Sequence, residues 1–187
     1  IRSYAGLLAE TLDAVDSNDY DFSSVGYFDG REPSSRKWLV STYEWLTVCV
    51  TYWEKNEIRC VLSREGNVNL YGPGGSPDRT YQIPDAGVMR EGAADYGYVN
   101  RIRAIGDGLY VCGQSRQVYR FAPGKPHVLD GHWVDFAGPM RQPPMSEPPD
   151  DNGGEAFDRW LDENDAIDLV DIAGSSESDI YTAGDEC

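Results

Sequence analysis

From Trp38 onward the chain is a succession of short apolar runs, rich in β-branched and aromatic residues. These are "KWLVSTYEWLTVCVTYW", "EIRCVLS", "NVNLYG", "RTYQIP", "YVNRIRAIG", "GLYVCG" and "QVYRFAPG". Gly, Asn, Pro and charged residues separate them, so the pattern predicts an antiparallel meander of strands. Ahead of it, Tyr4, Leu7, Leu8, Leu12 and Val15 recur at helical spacing and predict a short amphipathic helix over 3–16. The polar stretch that follows, up to residue 37, has little periodicity and predicts turns. Five prolines in the thirteen residues "GPMRQPPMSEPPD" at 138–150 bar a central strand or a helix and predict a surface loop. In "EAFDRWLDEND", Phe157, Trp160 and Leu161 share one face of a predicted short helix, and strand texture resumes at "IDLVDIAG". The reading is therefore an N-terminal segment 1–37, then a mainly β region 38–187 with an insertion at about 138–166.

The strand region repeats. "CVLSREGNVNLYG" from Cys60 aligns with "YVCGQSRQVYRFA" from Tyr110 at an offset of 50, matching Val61 to Val111, Val68 to Val118 and Tyr71 to Phe121. "IRAIGDGLYVCG" (102–113) aligns with "LVDIAGSSESDIYTAG" (169–184), with four extra residues assigned to the second turn. The unit is strand, turn, strand ending in Gly, turn, strand, and one such unit exposes both faces and an edge. This organisation resembles a degenerate WD40-like β-propeller blade over roughly residues 38–187, without the Gly-His or Trp-Asp dipeptides of true WD40 repeats. The resemblance implies a partial or fragmentary propeller, with a β-sandwich as the alternative. It further implies that Cys112-Gly113 and Ala183-Gly184 let inner strands crowd together and that Tyr110 and Tyr181 pack between blades. The last unit stops where its third strand would begin. The chain therefore reads as a fragment of a longer one, or one completed by another chain, with an exposed or borrowed edge at 169–184.

Charge changes the picture more than composition does. Residues 1–32 hold seven acids and two bases, 33–141 eleven and thirteen, and 142–187 fourteen and one, giving −5, +2 and −13 of the total −16. A C-terminal quarter this anionic repels nucleic acid and acidic membranes and attracts a basic protein face. No uncharged apolar run of about 18 residues and no basic-then-apolar leader occurs, so a soluble chain is expected.

Candidate chemistry is sparse. Cys49, Cys60, Cys112 and Cys187 lie far apart without a C-x-x-C or a neighbouring His, so neither a metal nor a cofactor is expected. Cys49 and Cys112 read as small buried apolar groups in a reducing compartment. His127 and His132 have no nucleophile elbow beside them and read as turn or edge residues. "GPGGSPD" at 72–78 lacks the Lys and helix of a phosphate cradle. Asp16, Asn18, Tyr20 and Asp21 begin like a calcium loop, but positions six and twelve hold Asp21 and Tyr27. No enzyme is predicted.

A binding protein remains. Blades of the "IYTAG" kind beside a strongly acidic segment resemble bacterial toxin immunity proteins, which implies a cytoplasmic chain that blocks the basic cleft of a cognate toxin. That toxin could be nucleic-acid-directed, its phosphate-binding cleft filled by carboxylates. The predicted partner surface is Glu155, Asp158, Trp160, Asp162, Glu163, Asp165 and Asp168. The partner is the basic toxin or the remaining portion of the chain's own propeller. The alternative is an interaction scaffold or a carbohydrate-binding module using exposed Trp among Trp38, Trp45, Trp53, Trp133 and Trp160.

Overall fold

The computed structural model describes residues 4–7, 23–28, 38–72, 79–91, 93–94, 96–143, 149, 154–163 and 167–185. Among the described residues, thirteen strands form four antiparallel sheets, each wound up and down in chain order, and none closes on itself. The first holds β1 (Tyr4–Leu7), β2 (Ser23–Phe28) and β3 (Trp38–Tyr43). The second holds β4 (Thr47–Trp53), β5 (Ile58–Ser63), β6 (Asn67–Tyr71) and β7 (Arg79–Gln82). The third holds β8 (Val99–Ile105), β9 (Gly108–Gly113), β10 (Val118–Ala122) and β11 (His132–Asp135). The fourth is the pair β12 (Asp168–Ser176) and β13 (Asp179–Asp185). A single helix among the described residues, α1 (Glu155–Glu163), lies between the third and fourth sheets in the chain.

Two N-terminal expectations are corrected. Tyr4–Leu7 is not helical: it pairs antiparallel with β2, Tyr4 opposite Phe28 and Leu7 opposite Val25. An isolated helix of this length is marginal in water, so a neighbouring strand that satisfies the backbone overrides the helical spacing. Residues 8–16 of that expected helix lie outside the described residues. Ser23–Phe28, in the stretch expected to be turns, is a strand whose Val25 and Tyr27 are buried, and β3 continues the same sheet. By contrast α1 forms where Phe157 and Trp160 predict it.

The core is layered between consecutive sheets. Val25, Tyr27 and Tyr43 of the first sheet meet Val61 and Tyr71 of the second. Leu62 and Leu70 of the second meet Ile102, Val111 and Phe121 of the third. Tyr110, Cys112 and Val118 of the third meet Leu169 and Ile172 of the fourth. Alternation along β9 explains its texture: Leu109 and Val111 point one way and Tyr110 and Cys112 the other, so all six residues of "GLYVCG" are buried. The first strands also touch in sequence, β1 with β4, β4 with β8 and β8 with β12.

The repeated unit carries a shared irregularity. Thr47 faces Ser63 but Cys49 faces Leu62, so Val48 is passed over as a bulge. Asn100 is passed over in the same way between Val99–Gly113 and Arg101–Cys112. Val170 is passed over between Leu169–Gly184 and Asp171–Ala183. These registers bear out the offset of 50, since Val61 and Val111 face Asn69 and Tyr119. They correct the alignment of the last unit. Ile172 faces Thr182 as Ile102 faces Val111, so it stands where Ile102 does, a place the sequence alignment gives to Leu169, three residues earlier. Both hairpins turn through two residues, Gly106-Asp107 and Glu177-Ser178, and the surplus is taken up inside β12 by a second register shift near Gly174.

Gly113 and Gly184 earn their place beside the bulge. A Cβ on Gly113 would lie 2.4 Å from the Tyr98 carbonyl oxygen, and one on Gly184 would lie 2.9 Å from that of Asp168. In each hairpin the backbone just before the bulge crosses the glycine, so close approach within the hairpin explains the small residue. The Tyr expectation divides: Tyr110 is fully buried against Phe136, whereas Tyr181 is 66% exposed.

Phe121 is the pivot of the largest core, with ring centroids 6.1 Å from Trp53, 5.2 Å from Tyr81 and 5.4 Å from Trp133, all edge-on. Phe121→Ala should lower the stability of the chain by about 3–5 kcal/mol in urea unfolding, because both the second and third sheets lose their shared contact.

Candidate functional site

The acidic C-terminal quarter divides into carboxylates used by the fold and carboxylates turned outward. Asp171 of β12 belongs to the first group. Arg103 reaches it with two nitrogens, at 3.3 Å and 3.2 Å, and Arg101 Nε lies 3.3 Å from Oδ1. Glu177, in the β12–β13 turn, pairs with Arg120 of β10. Asn100 Nδ2 donates to the Leu169 carbonyl at 3.0 Å, and Gln114 Nε2 donates to Asp168 Oδ2 at 2.9 Å. Side chains of the third sheet thus hold the fourth by charge and hydrogen bonds around an apolar centre. The arginines that neutralise Asp171 and Glu177 carried no signal in the sequence, since cation and carboxylate lie more than fifty residues apart.

The insertion leaves and returns at one place. Gln142 N donates to the Ser115 carbonyl at 3.1 Å, Arg116 N to the Ile167 carbonyl at 3.0 Å, and Ile167 N to Gln142 Oε1 at 2.9 Å. Both ends are therefore pinned to the β9–β10 turn. Arg141 secures the exit: its side chain is 10% exposed, it stacks 3.6 Å from the centre of the Tyr96 ring, and it pairs with Asp135 at 3.0 Å and Asp85 at 3.5 Å. It also donates to the Tyr119 hydroxyl at 2.9 Å, which in turn donates to the buried Gln117 at 2.9 Å. Of the expected proline-rich loop, Gly138–Met140 form one 3-10 turn, while 144–148 and 150 lie outside the described residues.

Between those pins stands α1. Glu155, Asp158, Asp162 and Glu163 are exposed along it, and none of their carboxylates has an ion pair or hydrogen bond among the described residues. Phe157 and Trp160 lie on the opposite face, half-buried, their rings stacked at 5.6 Å and 21°. Asp165 lies outside the described residues. Asp168 does not join the helix face: it begins β12, half-buried and held by Gln114. The structure thus groups four of the six expected carboxylates with Trp160 and separates Asp168 from them.

The remaining candidates are spread over the core and the surface. Trp53 and Trp133 are core residues, Trp45 stacks on Tyr43 at 5.3 Å, and Trp38 is 57% exposed on β3 beside Phe28. His127 caps a 3-10 turn by accepting from Leu129 N at 3.2 Å, and His132 is exposed on β11. A shallow pocket of about 460 Å3 is lined by Arg79, His127, Leu129 and Asp130, with Arg79 paired to Asp130 at 2.9 Å. Cys49, Cys60 and Cys112 are buried free thiols, and burial, aided by the Asp171 charge, pushes Cys112 up to about 12. No metal-binding cluster occurs among the described residues, and no described helix is long and apolar enough to cross a membrane. No protein-family model, curated protein or solved structure matches the chain.

Asp171 makes the joint between the third and fourth sheets pH-dependent. Burial alone would raise its carboxyl, but hydrogen bonds from Arg103 and Ile172 N and the charges of Arg103 and Arg101 outweigh it and hold it below the ordinary carboxylate range. A depressed acid contributes stability above its unfolded pKa, near 3.9, and loses it as pH falls through the lower folded value. The stability gap between the native chain and Asp171→Asn should therefore be present at neutral pH and shrink in acid. Its size should be no more than about 1 kcal/mol, because these charges remain partly solvated. Urea unfolding of both proteins across pH checks this.

Proposed function

We propose that this chain is a binding protein of propeller-like build, an immunity protein that neutralises a cognate toxin by covering its basic cleft. The observation that carries the reading is the exposed carboxylate face of α1, held on an insertion whose two ends are pinned to the sheet framework. Glu155 and Asp158 suit the first helical turn, where the helix dipole favours anions. Asp162 and Glu163 crowd the last turn, where the same dipole disfavours them, so helix stability does not account for their presence. A basic cleft opposite them would. Such a face raises the association rate by long-range attraction, and close pairs then fix the register. Three features support the propeller-like build: consecutive sheets stack face to face, their first strands touch in order, and the first hairpins of the second, third and fourth sheets carry the same bulge.

The experiment pairs the chain with the product of a toxin gene adjoining its own. Replacing Asp162, Glu163 and Asp165 together by Ser should slow association at low salt by about tenfold and flatten its salt dependence, because fewer charges remain to be screened. Stopped-flow measurement at low and moderate salt reads both. An unchanged rate and slope in a folded variant would remove the acidic helix from recognition.

A further inference from the structure

Two long connections run from the last strand of one sheet to the first strand of the next, 83–98 between β7 and β8 and 136–167 between β11 and β12. Both lie at the end of the sheets that carries the β5–β6 and β9–β10 turns. Val99 N donates to the Arg64 carbonyl at 3.1 Å, Gln114 N to the Tyr98 carbonyl at 2.9 Å, and Gln142 N to the Ser115 carbonyl at 3.1 Å. Arg141, next to Met140 in the second connection, joins the two through Asp85 and Tyr96 of the first. Set apart the first and fourth sheets, and Phe136, whose ring lies against Tyr110 on the face turned to the fourth sheet. The large apolar side chains exposed among the other described residues are then Val88, Met89 and Met140, all on these connections. Met89 is 82% exposed and Met140 64%. Val88 and Met89 stand between the second and third sheets, so no terminal sheet accounts for their exposure.

The Val88-Met89 tip is clamped from beneath. Glu65, in the β5–β6 turn, accepts at Oε2 from Val88 N at 3.0 Å and from Met89 N at 3.1 Å. Its carboxylate fills the space that Gly87 leaves: a Cβ there would lie 2.4 Å from Oε2, and the φ of +94° suits glycine. Gly87 N donates to the Gly97 carbonyl at 2.9 Å, and Arg90 Nε to the Ala86 carbonyl at 2.7 Å. Ile83, Ala86 and Gly87 are buried at the base of the loop, and that inward set accounts for its fold. Val88 and Met89 point away from it. A single exposed apolar residue is ordinary. Two on a clamped tip, with a third on the connection joined to it, make a preorganised apolar surface.

We propose that Val88, Met89 and Met140 are the apolar anchor of the partner-binding surface, seated in an uncharged recess of the toxin beside the basic cleft that α1 addresses. The inference rests on the reading of the partner as a toxin with a basic cleft. Continuity argues for a single partner. Met140 and α1 belong to the same pinned insertion, and Asp85, paired with Arg141, is three residues from Val88, so tip and insertion base fit within one interface of ordinary size. Exposed Arg64 adjoins Glu65 and stacks 3.6 Å from the centre of the Tyr98 ring. A cationic surface is disfavoured beside it, which places the recess outside the basic cleft. The two surfaces then act on different steps: solvated carboxylates raise the association rate, whereas buried apolar anchors slow dissociation. Methionine suits the second task, since its unbranched, polarizable side chain fills irregular recesses.

Stopped-flow association and dissociation of the whole chain with the product of the adjoining toxin gene separate the two surfaces. Val88→Ser together with Met89→Ser should raise the dissociation rate by about tenfold or more and leave the association rate and its salt dependence unchanged. Met140→Ser should act in the same direction. Glu65→Ala, which releases the tip, should also speed dissociation, and Glu65→Gln, whose amide oxygen still accepts from both N–H groups, should restore most of the native rate. Urea unfolding checks that each variant is folded. Unchanged dissociation in the folded Val88 and Met89 variant would overturn the proposal. So would a free chain that sediments as a dimer and becomes a monomer on the same two substitutions. If that variant is silent while the Asp162, Glu163 and Asp165 variant loses its fast association, the anchor falls and the acidic-face reading stands. If the tip variant speeds dissociation and the acidic variant is silent, the reverse holds. A native chain that does not bind the toxin at all overturns both.

Discussion

A sheet that is apolar on both faces cannot stand alone in water, and this constraint organises the whole chain. Leu109 and Val111 leave β9 on one face while Tyr110 and Cys112 leave it on the other, so the third sheet needs a neighbour on each side. The second sheet is in the same position, with Leu62 on one face and Val61 on the other. Stacking in chain order meets the need and leaves every first strand against the next.

The joints between sheets differ in chemistry, and the difference follows the apolar area available. The second and third sheets meet over a broad aromatic and aliphatic core centred on Phe121. The third and fourth meet over fewer apolar side chains, supplemented by Arg101, Arg103 and Arg120 against Asp171 and Glu177. The first and second meet around a buried polar cluster in which the Tyr43 and Tyr71 hydroxyls lie 2.6 Å apart and Asn69 donates to Tyr71 at 3.3 Å. Burial is the main cause that pushes the Tyr43 hydroxyl far above its ordinary range, so the cluster stays neutral and holds by hydrogen bonds. A joint held by neutral hydroxyls at one end and one held by ion pairs at the other give the stack unequal sensitivity to pH and salt.

The proposed binding face sits where this scheme is interrupted. The insertion interrupts the passage from β11 to β12, and because Gln142 and Ile167 close its base, the sheets on either side keep their register. The scaffold can thus carry α1 without sharing in its charge.

Much of this was legible in the chain itself. Alternation in "GLYVCG" and "NVNLYG", prolines at 138–150 and the Phe157–Trp160 spacing determined strands, loop and helix, because these depend on periods of two and 3.6 residues and on a missing amide. The charge division determined which quarter of the chain is anionic. What only the tertiary structure decided involves contacts distant in sequence. Tyr4–Leu7 became a strand because β2 lay beside it, and Asp171 and Glu177 are paired because three arginines of another sheet reached them. The bulge at Val48, Asn100 and Val170 set the true equivalence of Ile102 with Ile172. A one-residue bulge leaves no mark on composition and little on periodicity, yet it displaces every later pairing, so register belongs to the folded sheet and not to the string of residues.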